Sequence, residues 1–372
     1  MERKLASIQR IESISPIEGA DSIEKAAVLG WEVVVKKGDF TPGQLCVYCE
    51  VDSILPDRPE FEFLRDRKFR IRTIKLRGQV SQGICFPLSI LKDYRLKNVM
   101  AGTDVTEFLG IKKYDPQAEA EQKETERVTA IHNSRIDKLL KRYTWYRKLF
   151  MHGRSDRMPM PSFITKTDED RIQLFPHACT EWAGVRFIAT EKLDGQSATY
   201  YCIRNPRKGL FGKKWLFGVC SRRFQLLKPD NSSYWTVAIE QDLQNKMTSW
   251  CENNGMGLII QGEIIGPKIQ GNKYKRNKYR FYLFNATAYE AGLKRVYPQS
   301  SQKTIADDLR VDTVPIITGD YYLQGTIAQT VATASGDSQI ADTPREGLVV
   351  RNYSRKISFK IINVDFLLKY GE

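Results

Sequence analysis

The sequence has no long apolar run; nowhere does it approach the ~20 consecutive apolar residues that a membrane helix needs, so no membrane role is expected. Its first stretch, MERKLASIQRIESISP, is polar and mixed in charge. It lacks the apolar centre of a secretory signal, and a cytoplasmic or other reducing compartment is expected rather than secretion. Histidine is scarce: His132, His152 and His177 lie far apart and offer no metal cluster. The seven cysteines are an odd number scattered from Cys46 to Cys251, which argues against a disulfide framework. Cys46 and Cys49 form a C-x-x-C, but within GQLCVYCEVDSIL, which reads as a strand. Residues three apart on a strand point to opposite faces, and no second pair completes a zinc site. Acidic charge is also short, with 44 Asp and Glu against 58 Lys and Arg, a formal net charge of +14. Such an excess points to an anionic partner, most often nucleic acid, unless it is simply a basic soluble surface.

What is present is enough chain, 372 residues at 41% hydrophobic, for two domains or one large one. Residues 1–110 read as short strands separated by turn signals, which suggests a small barrel. KAAVLGWEVVVKKGDF and GQLCVYCEVDSILP are strand runs, and KFRIRTIKLRG alternates Arg70, Arg72 and Lys75 with Phe69, Ile71 and Ile74. A basic strand on a barrel is a candidate nucleic-acid face, or a solvated outer face. Residues 111–160 change character. DPQAEAEQKETERV has almost no apolar content and reads as a linker. SRIDKLLKRYTWYRKLFMHG has Ile136, Leu139, Leu140, Tyr143 and Tyr146 at helical spacing, with Ser134 to cap it and Gly153 to end it. Further on, Thr167 with Asp170 reads as a capping box opening a short helix; Glu169 and Gln173 would share one face of it. From residue 161 the pattern is α+β. VRFIAT, SATYYCIR, GLIIQGEII, YRFYLFNATAY, GLVVRNY and KISFKIIN read as strands, and YWTVAIEQDLQNKMTSWCENN as one amphipathic helix. Two antiparallel sheets with helices outside are expected.

Within that domain TEKLDGQSATYY holds Lys192-x-Asp194-Gly195. Alone, the motif fits an ordinary surface lysine before a turn as well as a nucleophile. Four stretches downstream change the balance. CSRRF sets Arg222 after a strand. QGEIIGPKIQ holds Glu263, REGLVVRN holds Glu346, and KISFKIIN holds Lys360. Charged residues in apolar strands are costly unless paired or ligated; three such breaches together suggest one shared site. FYLFNA adds Tyr282 and Phe284 two residues apart.

In this order the stretches resemble motifs I, Ia, III, IIIa, IV and V of the covalent nucleotidyltransferases, the superfamily of polynucleotide ligases and mRNA capping enzymes. The resemblance covers residues 163–365. It implies that Lys192 attacks the α-phosphorus of a nucleoside triphosphate and forms a lysyl-NMP. A lysine of ordinary pKa, about 10.4, must lose a proton first, and the resemblance implies that Lys360 and a divalent ion, Mg2+ or Mn2+, favour this and neutralise the phosphate. It assigns Glu346 to the metal, Glu263 to the ribose, Arg222 to the ribose or phosphate, and Asp194 to the turn presenting Lys192. Glu191, Gly195, Ser197 and Val349 fall in the nucleotide-binding set, and Phe284, ahead of Tyr282, is the candidate to stack on the base. Motif V often has two lysines one residue apart; here Ser358 stands in the first place, so only Lys360 carries over.

Most relatives place an OB barrel after motif V, whereas Lys360 is followed only by Ile361 to Glu372. A barrel-like module in front resembles the fifth family of ATP-dependent RNA ligases, and TKTDEDRIQ is similar to a stretch before motif I there. This implies an OB module at 1–110, a basic linker at 111–160 and an adenylyltransferase domain at 161–372. It also implies ATP as cofactor, RNA as partner, a monomer without disulfides, and joining of 3′-OH to 5′-phosphate ends through lysyl-AMP and adenylated RNA, with RNA on the 3′-OH side of a nick. Glu169, Arg171 and Gln173 become candidates at the active-site mouth. In GNKYKRNKYRFY, Lys273, Lys275, Arg276 and Lys278 join Arg70 and Arg72 as RNA-binding candidates, although a solvated hairpin explains that run equally well. The competing readings are an ATP-dependent DNA ligase, a GTP-dependent capping-type enzyme, and a non-catalytic nucleic-acid-binding protein on a ligase fold.

Overall fold

Trp31, Val33 and Val35 are buried and alternate with the more exposed Glu32, Val34 and Lys36 along the strand Trp31–Lys36, so one face packs inward. This strand pairs with Ile23–Val28, which pairs in turn with Ser13–Pro16. A second sheet runs Ala6–Arg10, Leu45–Cys49, Ile84–Pro87. Their inner faces close on Ile8, Trp31, Tyr48, Phe61 and Val105, a barrel-like core of short strands. These features come from a computed structural model that describes residues 4–92, 94, 99–114, 157–205 and 214–371. The linker and basic helix expected at 111–160 fall mostly outside those residues. Pairing of Lys112–Lys113 with Ser53–Ile54 carries the barrel module past residue 110, and Arg157–Pro159 already belongs to the next domain's sheet.

That second domain holds two sheets. An eight-stranded one is built around Gln196–Arg204, Gly257–Ile265 and Arg280–Glu290. It is antiparallel except where Asp312–Thr313 pairs parallel to Arg280–Glu290. A four-stranded antiparallel sheet runs Ile316–Tyr321, Phe187–Lys192, Gly347–Asn352, Ile357–Ile362. Helices Ser233–Glu240, Leu243–Asn254 and Gln299–Leu309 cover the larger sheet through Val237, Met247 and Ile305. Lys192 ends a strand of the smaller sheet, and Gln196 begins a strand of the larger one. The Lys-x-Asp-Gly turn is therefore the crossing between the sheets.

Several local expectations fail for identifiable reasons. The helix expected over Tyr234–Asn254 is two helices, because Asp242 takes a left-handed conformation (φ 50°) between them. KAAVLGWEVVV is a hairpin turning at Leu29 (φ 53°) and Gly30 rather than one strand. Lys68 and Phe69 also have positive φ, and only Ile74–Leu76 of the basic run is a strand. Arg70 faces inward at 8% exposure, its guanidinium 3.0 Å from Asp52 and 3.6 Å over the Tyr114 ring, so it presents no RNA-binding surface. No helix starts at Thr167. The short 3-10 helix is Ile172–Leu174, without a side-chain cap, because Lys360 N–H donates to Asp170 O at 2.7 Å and holds the preceding chain extended. Gln173 is buried under the barrel module, where its carbonyl accepts from Gly30 N–H at 2.9 Å, and does not face the cleft.

Candidate active site

A cleft of about 1440 Å³ lies between the sheets, with the barrel module forming one wall through Asp52, Arg72 and Lys113. Lys192 reaches into it from its strand end, and its ammonium donates to Glu346 Oε1 at 2.5 Å. Glu346 directly precedes the strand Gly347–Asn352, and Gly347 pairs with Lys192. The turn is rigidly held. Asp194 N–H donates to the Tyr274 hydroxyl at 2.8 Å, and the Asp194 carboxylate pairs with Lys273 at 2.5 Å, both side chains nearly buried. Gly195 is required by space. A Cβ there would lie 2.5 Å from Ile264 O and 2.8 Å from Glu263 Cγ, a close approach only glycine permits.

The electrostatics differ from the expectation. Burial alone would depress the Lys192 pKa. Glu346, then Glu263 and Asp194, outweigh it and hold the ammonium above its ordinary value. Lys360 lines the same cleft and pairs with Asp168 at 3.2 Å. Burial pushes Glu263 up to about 8, with Lys192 opposing and Glu346 and Asp194 reinforcing it. Glu346, Glu263 and Asp194 supply oxygen donors of the kind divalent ions prefer. Among the described residues no group of three or more His, Cys, Asp or Glu side chains is placed to hold a metal ion.

The other candidates sort by what they touch. Ser197 sits opposite Glu263 across the ladder and, with Val349 and Glu191, lines the cleft. Glu191 is 1% exposed, accepts from Gln339 N–H at 2.9 Å, and is raised in pKa by burial. Arg222 donates to Asp168 at 2.8 Å. Phe284 has no partner residue where the register slips between Gln261 and Gly262, and such a bulge re-aims a side chain. It lines the cleft, with the Arg351 guanidinium 5.9 Å from its ring centroid. Arg351 is fixed in turn by Glu169 at 2.8 Å. Tyr282 is 7% exposed and packs among Leu193, Ile265, Tyr274 and Val314, away from the cleft. Lys273 is used up by Asp194 and the Phe366 and Tyr370 rings, and Arg276 donates to Ile340 O. Of that basic run, Lys275 and Lys278 remain exposed.

Sequence reasoning missed two anchors. Asp52 of the barrel module pairs with Arg171 at 3.0 Å while also holding Arg70. Arg171, 5% exposed, lies 5.5 Å from the Trp31 ring. Asp168 gathers Lys113, Arg222 and Lys360. Partners distant in sequence leave no periodic signal; only the similarity of TKTDEDRIQ to a stretch before motif I pointed to this segment.

Lys192 at the crossing of two sheets, with Glu346 and Glu263 beside it and a barrel module in front, is the arrangement shared by the covalent nucleotidyltransferases. The comparisons agree. An OB-fold domain profile matches residues 5–88, and the RNA ligase profile matches residues 185–370. Structures of the Naegleria gruberi RNA ligase align at 30% identity. A mutant with ATP and Mn has a TM-score of 0.76, covering 100% of both chains. A mutant with AMP and Mn and the ligase with PPi each give 0.74, with 98% of both chains covered. No curated protein matches the chain. The chain belongs to the RNA ligase family.

Proposed function

We propose that this protein is an ATP-dependent RNA ligase in which Lys192 carries AMP between ATP and an RNA 5′-phosphate. The observation that carries this reading is the buried Lys192–Glu346 pair at the crossing of the two sheets. Full-length likeness to a ligase whose structures hold ATP, AMP, PPi and Mn supports it. Lys192 must lose a proton to attack. Glu346 Oε1 accepts from Nζ at 2.5 Å and keeps the proton on the lysine, so this pair must open before Lys192 attacks. Nζ then bonds to the α-phosphorus and the bond to pyrophosphate breaks. A 5′-phosphate oxygen of RNA next displaces Lys192 from that phosphorus. Finally the 3′-OH of the other end attacks the 5′-phosphorus, a phosphodiester forms and AMP leaves.

The supporting residues have matching tasks. Phe284, backed by Arg351, offers the adenine an apolar face. Glu263 and Ser197 face the ribose. Glu346 is the carboxylate that would hold a divalent cation, Mg2+ or Mn2+, which would supply Lewis acidity and counter-charge. Exposed Lys275, Lys278 and Arg72 are the RNA-backbone candidates that remain. The substrate we propose is a nick with RNA on its 3′-OH side. A panel of nicked duplexes, with RNA or DNA on each side and ATP or GTP as donor, tests this. Sealing with ATP of strands ending in RNA 3′-OH is expected. Sealing restricted to DNA 3′-OH ends, or driven by GTP and not ATP, would overturn it.

A further inference from the structure

Asp168 lies on the stretch Thr165–Asp170, which has no regular structure, at the cleft wall. Its Oδ1 accepts from Lys360 Nζ at 3.2 Å; its Oδ2 accepts from Arg222 at 2.8 Å and from Lys113 Nζ at 3.4 Å. These cations come from three separate places: the barrel module's strand Lys112–Lys113, the turn after Trp215–Cys220, and the last strand Ile357–Ile362. The fold thus gathers three positively charged side chains around the Asp168 carboxylate. We propose that Asp168 is an internal stand-in for a phosphate, an autoinhibitory contact that a substrate phosphoryl group displaces to take over Lys113, Arg222 and Lys360. The proposal rests on the phosphoryl chemistry proposed above and adds to it an anion subsite that the barrel module completes through Lys113.

Three observations favour displacement over a fixed structural bridge. Asp168 is half exposed, at 49%, as are Arg222 at 45% and Lys113 at 38%. Partly exposed pairs of this kind are individually weak. A phosphate offers more charge and three strong acceptor oxygens to the same donors. The chain is anchored on both sides of Asp168: Thr165 O accepts from Gln261 at 2.9 Å, Glu169 pairs with Arg351 at 2.8 Å, and Asp170 O accepts from Lys360 N–H. Displacement therefore needs only rotation of the Asp168 side chain while the backbone stays docked. Its own carboxyl is held below the usual range, since Lys360, Lys113 and Arg222 overcome the opposing effect of burial. It therefore competes as an anion at any physiological pH.

The phosphate has two possible sources, the polyphosphate of a nucleotide or the 5′-phosphate of RNA. Equilibrium binding separates them without requiring adenylylation, so the test stands even if the ligase reading fails. Inorganic tripolyphosphate, and one RNA oligomer in 5′-phosphate and 5′-hydroxyl forms, are titrated into the full chain. Asp168→Asn should bind tripolyphosphate or the 5′-phosphorylated RNA about tenfold more tightly, as expected for removing several weak competing pairs, and whichever ligand gains is the source. Asp168→Ser should show the same gain, Asp168→Glu none. Adding Lys113→Ala to Asp168→Asn should abolish it. No gain for either phosphate ligand overturns the proposal. So does an equal gain for the 5′-hydroxyl RNA, or a gain that survives Lys113→Ala.

Discussion

Replacing Glu346 by Gln and Lys192 by Met, singly and together, isolates the interaction that defines the resting site. The pair lies 2.5 Å apart with side chains 26% and 12% exposed, so it is neither a surface pair nor a sealed one. Exposed pairs contribute about 0.2–1 kcal/mol, and hydrogen bonds to charged groups about 1.5–3 kcal/mol. The geometry places this one near the lower end of the second range, and a double-mutant cycle should give a coupling of about 2 kcal/mol. Glu346→Gln alone should cost about 1–3 kcal/mol. That is less than the about 3–5 kcal/mol of an orphaned buried charge, because Glu263 and Asp194 still act on the ammonium. Urea unfolding of nucleotide-free, metal-free protein measures all four corners. The Lys192 pKa is raised in the fold, so its contribution is complete below the unfolded lysine value of about 10.4 and fades only as pH climbs through the folded value. The coupling should therefore be equal at pH 6 and pH 7, both below the titration of Glu263 near 8. A value below about 0.5 kcal/mol, or one that collapses between those pH values, would refute the reasoning.

Other perturbations have equally definite outcomes. Gly195→Ala should cost about 1–3 kcal/mol by overpacking, read as a lower melting temperature, and should abolish adenylylation because Ile264 O and Glu263 must move. Glu263 is raised to about 8 from an unfolded value of 4.5. The native protein should therefore lose stability relative to Glu263→Gln as pH rises from about 4.5 to about 8, by up to about 5 kcal/mol in total; an unchanged difference between pH 5 and 9 in urea titrations contradicts the shift. Asp52→Ala leaves Arg70 and Arg171 without their shared carboxylate. It should cost about 2–4 kcal/mol and split the unfolding transition, with the barrel module detaching first; one unchanged transition would show that this contact does not couple the domains.

Much of the second domain was legible because its strands are long and their apolar pattern is unbroken. GLIIQGEII coincides with the observed strand Gly257–Ile265, and the charged residues that interrupt such strands, Glu263 and Lys360, do line the cleft. Periodicity failed where one residue adopts a left-handed backbone inside a continuous pattern, as at Asp242, Leu29 and Lys68; sequence spacing carries no trace of that choice. It failed again where a charge meets a partner from a distant segment. Arg70 and Lys273 look like surface cations in an alternating basic run, but Asp52 and Asp194 take them inward. Tyr282 and Phe284 were indistinguishable by spacing, and a bulge separates them, sending Phe284 to the cleft and leaving Tyr282 in the core.

The central claim is that Lys192 is the residue that accepts AMP. Incubating the native chain and Lys192→Ala with α-phosphate-labelled ATP and Mg2+ or Mn2+, followed by peptide mapping, tests it most directly. The label should appear on the native peptide containing Lys192, be absent from the variant, and leave the variant able to seal only pre-adenylated RNA. Label on any other residue, or a Lys192→Ala protein that still becomes adenylated, would contradict the account.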